Sequence, residues 1–145
     1  MAMIDEKLID DLKFARENLN KSDCSILVVK DGEILLEKQG YGIKPLLETI
    51  EELEGDMKEA VVGDKLLGKA AALLCRYAEV KSVYAPRGTK TGLAVLIVGG
   101  VPSRVDELIP FIKDKSGDGV CPFEKILEDV DKPAEAYQIL KEKVL

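Results

Sequence analysis

Ala60-Val61-Val62-Gly63-Asp64-Lys65-Leu66-Leu67-Gly68-Lys69-Ala70-Ala71-Ala72-Leu73-Leu74 decides the fold. Its first three residues are apolar and mostly β-branched, which suits a short buried strand. The alanines and leucines that follow supply the inner face of a helix predicted over Lys65 to Tyr77, with Asp64 placed as its N-cap. Beyond it, Val80 to Ala85 reads as a second strand, closed by Pro86-Arg87-Gly88. Strands joined by a helix run parallel, and a parallel sheet is covered by helices on both faces.

The rest of the chain extends this unit in both directions. Upstream, Ile4, Leu8, Leu12, Ala15 and Leu19 recur at helical spacing and predict a helix from Met3 to about Asn20. Cys24 to Val29 and Ile34 to Leu36 are β-prone runs around Asp31-Gly32, the signature of a type I′ hairpin turn. Gly40 and Gly42 break the second strand, and Pro45 opens a helix that runs to about Leu53 and ends near Gly55. Downstream, Thr91 to Val98 reads as a helix stopped by Gly99-Gly100, although its Val and Ile also suit a strand. Arg104 to Ile109 should be the last strand, and prolines open two final helices, Pro122 to Asp129 and Pro133 to Val144. The expected architecture is an α/β fold: a three-layer α/β/α sandwich whose mixed sheet carries an N-terminal antiparallel hairpin.

Composition narrows the function. The 145 residues, 46% of them hydrophobic, fit one domain spanning 1–145 that needs no disulfide or metal staple. A net charge of −6 argues against nucleic-acid binding through phosphate neutralisation. The longest apolar run, Leu93 to Val98, is far short of the ~20 residues that span a bilayer, so no membrane partner is expected. Cys24, Cys75 and Cys121 are odd in number and follow no signal peptide, which points to reduced thiols in the cytoplasm. No histidine is present, and this excludes Ser-His-Asp and Cys-His catalysis as well as His-ligated zinc.

Three junctions carry chemistry. Gly63 to Lys69 fits the G-x-x-x-x-G-K part of a phosphate loop, but Ala70 lacks the hydroxyl that would hold magnesium. Leu66 and Leu67 would also be stranded in such a loop, whereas a helix starting at Lys65 buries both. Asp64 and Lys69 remain candidates for ligand contact here. Ser116-Gly117-Asp118-Gly119-Val120-Cys121-Pro122-Phe123-Glu124 feeds Cys121 onto a helix N-terminus, where the peptide dipoles favour a thiolate. Cys121 is thus a candidate reactive thiol and Glu124 a nearby proton acceptor, with Gly117 and Gly119 shaping the loop. The same residues also have the layout of a capping box, Glu124 reaching back to the cap. In the third junction, Arg87, Thr89 and Lys90 follow a strand end, the position where parallel sheets bind ligands, and are candidates for holding a phosphate or carboxylate.

From Ser25 to about Leu127 the chain resembles a prokaryotic family of unknown function with a cytidine-deaminase-like fold. The resemblance rests on Val61-Val62-Gly63-Asp64-Lys65, Gly68-Lys69-Ala70-Ala71-Ala72-Leu73-Leu74, Val83-Tyr84-Ala85, Leu108-Ile109-Pro110-Phe111-Ile112 and Asp118-Gly119-Val120-Cys121-Pro122-Phe123-Glu124. It implies a deaminase-like sandwich without the zinc chemistry. True deaminases carry H-x-E followed by P-C-x-x-C. At the matching places this chain has Lys65 to Ala72 and Pro86 to Gly92, and Cys121 lies one strand later. No metal, cofactor or catalytic residue therefore carries over. The expected function is binding of a small anionic metabolite or nucleotide at these loops. The alternative is a non-catalytic interaction or regulatory module acting as a homodimer.

Overall fold

The computed structural model describes residues 5–145. Strands β1 (Ile26–Lys30) and β2 (Glu33–Lys38) form the expected antiparallel hairpin. Asp31 and Gly32 both have positive φ, 53° and 79°, as a type I′ turn requires. β1 then pairs antiparallel with β3 (Val61–Asp64), and β3 pairs parallel with β5 (Ser82–Thr89). The two-residue β4 (Leu66–Leu67) continues β3 along the same edge of β5: Val61 faces Ser82 and Leu66 faces Arg87, at one constant offset. β6 (Ser103–Ile109) pairs parallel with the other edge of β5. The sheet is mixed, as expected.

Helix placement follows from the handedness of the connections. α2 (Lys44–Leu53) links β2 to β3, α3 (Lys69–Tyr77) links β3–β4 to β5, and α4 (Lys90–Val98) links β5 to β6. All three connections join parallel strands and progress in one direction across the sheet. Right-handed crossovers then place all three helices on one face. α6 (Pro133–Val144) packs there too, against α3. The core on this face gathers Ile26, Val28, Val62, Val83 and Ala85 from the strands against Leu46, Leu73, Leu96 and Leu140 from the helices. The other face belongs to α1 (Glu6–Asn20), whose Ala15 and Leu19 pack on Leu27, Val29, Val61 and Tyr84. The alternation of strand residues between the two cores is the period-two signature of a sheet buried on both sides. The predicted start of α1 at Met3 and Ile4 lies outside the described residues.

Several boundaries differ from the sequence expectation, most of all those of α3, β5 and the helix opened by Pro122. α3 begins at Lys69 rather than Lys65, because Leu66 and Leu67 pair with Arg87 and Gly88 of β5 instead of entering the helix. Leu67 is buried but Leu66 is exposed, so the pair does not share an apolar helix face. Asp64 is therefore not a helix N-cap; Gly68 holds that position, in extended conformation. β5 does not close at Pro86 but runs through it to Thr89. The ladders skip Pro86 on both sides, so the missing N–H costs no pairing. Pro86 to Thr91 is accordingly strand and helix start rather than a loop. The helix opened by Pro122 (α5, Pro122–Ile126) is shorter than expected, while α4, β6 and α6 fall where the sequence places them.

Candidate functional site

A cleft of about 870 Å³ opens at the carboxyl end of β3. Its floor is Asp64 with Gly68, Ala70 and Ala71 of the β3–α3 junction. One wall is the β2–α2 connection around Tyr41, and the other is the segment from Ile112 to Glu124. Ligands bind at this end of parallel strands because successive connections leave the sheet there and separate. Gly40 and Gly42 allow the first wall to turn: their φ values, +149° and +70°, lie in a region that L side chains rarely enter. The second wall is organised by Asp114, whose Oδ1 accepts hydrogen bonds from the Gly117 and Asp118 N–H groups and the Ser116 hydroxyl. The Ser116 hydroxyl bond, foremost, with backbone N–H groups adding to it, holds the Asp114 carboxyl below its ordinary range. At the mouth, the Lys115 ammonium lies 5.9 Å from the centre of the Tyr41 ring, joining the two walls.

Asp64 is the unusual group in this cleft. Its side chain is buried, and Oδ1 accepts a 3.1 Å hydrogen bond from the Leu66 N–H. Burial pushes its carboxyl up to about 7, a shift that the Leu66 hydrogen bond partly opposes. Cys75, on α3, lies in the core behind it. Burial, with the Asp64 charge adding to it, pushes that thiol well above its ordinary range, which suits an inert packing residue. Cys24 is buried as well, whereas Cys121 is half-buried on the cleft wall.

Glu124 does not close a local capping box. Its Oε1 accepts from the Lys69 N–H and its Oε2 from the Ala70 N–H, each at 2.8 Å, so it caps α3 from another helix. These are two of the amides a bound phosphate would use, and the protein's own carboxylate already fills them. The close approach requires Gly68, where a Cβ would collide with the Glu124 carboxylate. The start of α4 meets the same point: a Cβ on Gly92 would stand 2.9 Å from the carbonyl carbon and oxygen of Gly68.

Zinc enzymes of the deaminase type place His or Cys ligands and a Glu at two such converging helix starts. Here the first turns read Lys69-Ala70-Ala71-Ala72 and Lys90-Thr91-Gly92-Leu93 and offer no such donor. Among the described residues no group of three or more Cys, Asp or Glu side chains is gathered to hold a metal ion. These residues do not fit zinc.

The structure brings Asp64, Cys121 and Glu124 together on one cleft. Lys69 points the other way. Its Nζ donates to the Glu128 carbonyl at 2.9 Å and pairs with Asp131 at 3.3 Å, fastening α3 to the segment between α5 and α6. Lys69, Glu124 and Thr89 line a second, more open hollow of about 590 Å³. There the Thr89 hydroxyl caps α4 by accepting from the Gly92 N–H at 3.0 Å. Arg87 and Lys90 are exposed and line neither space; Arg87 stands 4.0 Å from Glu107 on β6. Gly117 and Gly119 sit in the Asp114 turn without lining the cleft. Sequence reasoning missed Tyr41, Asp114 and the lysines at positions 44, 65, 113, 115 and 125 that ring the cleft. The Gly40-Tyr41-Gly42 triplet between a strand and a helix was the available signal.

Among the described residues no helix is long and apolar enough to cross a membrane. No curated protein matches the chain in sequence. Among solved structures, RibD from Acinetobacter baumannii is similar over 68% of this chain and 35% of its own, at 15% identity and a TM-score of 0.51, which supports a deaminase-like fold and nothing more specific. The crystal structure of a DUF1893 family protein (TM1506) from Thermotoga maritima is similar throughout: 30% identity, a TM-score of 0.84, and coverage of 98% of this chain and 92% of that one. Residues 14–144 match the family described as Domain of unknown function (DUF1893). With a deaminase-like sheet, no zinc donors at its helix starts and this match over nearly its whole length, the chain belongs to the DUF1893 (TM1506) family.

Proposed function

We propose that the chain binds a small anionic metabolite of the nucleotide class in the cleft at the end of β3. Cys121 is then the thiol on the cleft wall that meets reagents or substrate. The carrying observation is the charge of the cleft. In a chain of net charge −6, five lysines line it beside four acidic residues. One of those acids is Asp64, with a carboxyl near neutrality, and another, Glu124, is matched by the α3 amides. The volume also lies within the range of about 300–1,000 Å³ typical of small-molecule sites. A thermal-shift panel of nucleosides, nucleotides and sugar phosphates tests the reading. A ligand at a hundred times its Kd stabilises by about 2.7 kcal/mol, a clear rise in Tm. A panel without any shift contradicts the proposal.

A second reading, a non-catalytic module acting as a homodimer, rests on α4. Ile97 is 65% exposed and Val98 80% exposed at its carboxyl end. Sedimentation of the wild type and of Val98→Asp separates the two readings. A dimer lost in the variant, together with an unresponsive ligand panel, favours the module.

A further inference from the structure

Asp64 lines the cleft with only 7% of its surface exposed. Its Oδ1 takes the Leu66 N–H, and among the described residues no other hydrogen bond and no cationic nitrogen within 4.0 Å reaches the carboxyl group. The lysines adjacent in sequence are committed elsewhere. Lys65 Nζ donates to the Ser22 carbonyl, and Lys69 Nζ to the Glu128 carbonyl. Among the described residues no buried side-chain oxygen lacks a hydrogen-bond partner, so the unpaired Oδ2 opens to the cleft. A carboxylate so largely buried without a cation is costly. The turn onto Leu66 does not account for it, because asparagine or serine would make the same turn without burying an ionisable group. What accounts for an acid here is a partner that arrives from the cleft carrying hydrogen-bond donors.

We infer that Asp64 determines the specificity of the cleft, its Oδ2 accepting a hydrogen bond from an N–H group of a nitrogen heterocycle while lysines at the rim hold the ligand's anionic end. This deepens the reading of the cleft as a nucleotide-class site and rests on it. A carboxylate accepting from the amino group of a base is an established pairing, and it rejects analogues that lack the donor. A carboxylate also takes ribose hydroxyls; a nitrogen base differs in offering fixed, planar N–H donors at one edge, and ribose 5-phosphate separates the two. Asp64 meets these from the floor of the cleft, and the Tyr41 ring stands at its mouth.

Calorimetric titration at neutral pH with the four ribonucleoside 5′-monophosphates and with ribose 5-phosphate tests this on wild type, Asp64→Asn and Asp64→Ala. Asp64→Asn keeps the acceptor for the Leu66 N–H and removes a buried ionisable group, so it should melt no lower than wild type, which separates binding from folding. Asp64→Ala also gives up that hydrogen bond and should melt lower while staying folded. In wild type at least one nucleotide should bind about tenfold or more tighter than ribose 5-phosphate, the scale of one lost donor–acceptor pair. Asp64→Ala should abolish that preference while leaving the affinity for ribose 5-phosphate unchanged. Asp64→Asn, whose one acceptor is held by the Leu66 N–H, turns an N–H donor toward the ligand's own donor and should lose the preference as fully as Asp64→Ala. Equal binding of nucleotides and ribose 5-phosphate, or a preference that survives Asp64→Ala, overturns the role of Asp64 and leaves the anion-binding reading standing. Failure of all five compounds to bind overturns both.

Discussion

The carboxylate of Glu124 accepts the backbone N–H of Lys69 at 2.8 Å, although 55 residues separate them, and the second Glu124 oxygen takes Ala70 in the same way. One side chain on the short α5 thus satisfies two orphan amides of α3 and holds the cleft wall against its floor. Glu124→Ala should destabilise the protein by about 1–3 kcal/mol, since it leaves two largely buried donors without an acceptor. Glu124→Gln, which retains one oxygen, should lose less. Urea denaturation of the three proteins checks the order.

Gly68 and Gly92 are required by close packing rather than by turn geometry. A Cβ on Gly68 meets the Glu124 carboxylate and Ile112, and one on Gly92 meets the backbone of Gly68. Each should cost about 1–3 kcal/mol as alanine, by overpacking. Gly55→Ala, where nothing lies within 4 Å, should stay within about 0.5 kcal/mol of wild type. Thermal melts of the three variants decide the matter.

Asp64 gives stability a distinctive pH dependence. Its folded carboxyl titrates near 7 against an ordinary 3.8, so the folded state holds the proton more tightly. The contribution is fully present below the unfolded value and is lost as pH rises toward 7. At 1.36 kcal/mol per unit, about 2–3 kcal/mol should disappear between pH 5 and pH 8. Asp64→Asn should remove this slope and should be the more stable protein at pH 8. Carboxylates held low by partners, such as Asp106 beside the Tyr84 hydroxyl and Arg104, act in the opposite sense at more acidic pH. Taking the difference between variant and wild type cancels them.

The three thiols should separate in reactivity. Cys121, half-buried on the cleft, should be alkylated in the native protein, whereas Cys24 and Cys75 should react only on unfolding. Mass-spectrometric mapping after brief iodoacetamide treatment reads this directly. Modification of Cys75 at the rate of Cys121 would contradict the packing described.

The periodic parts of the fold were legible in the sequence, and the junctions were not. Asp31-Gly32 announced its turn, and Pro133 to Val144 its helix, because both signals are local. Leu66-Leu67 was misassigned because two apolar residues ahead of an alanine-rich helix fit either period. Only pairing with β5 settles them as strand. Glu124 was misassigned for a related reason: three residues after a potential cap, it satisfies the capping-box spacing, yet its partners lie on α3. Asp64 stood out as polar at a strand end, but its burial and lack of a cation depend on where Lys65 and Lys69 turn. The cleft was legible only in part: Asp64, Cys121 and Glu124 are candidates in the sequence, but the walls around them come from the Gly40–Gly42 connection and the Asp114 turn, which are far apart in the chain.

The most direct test of the central claim is an amide-resolved NMR titration of the full chain with a nucleoside 5′-monophosphate. The account predicts saturable shifts concentrated at Tyr41, Asp64, Leu66, Lys115 and Cys121, the residues around the cleft. Shifts confined to Arg87 and Lys90, or none at millimolar ligand, would contradict it.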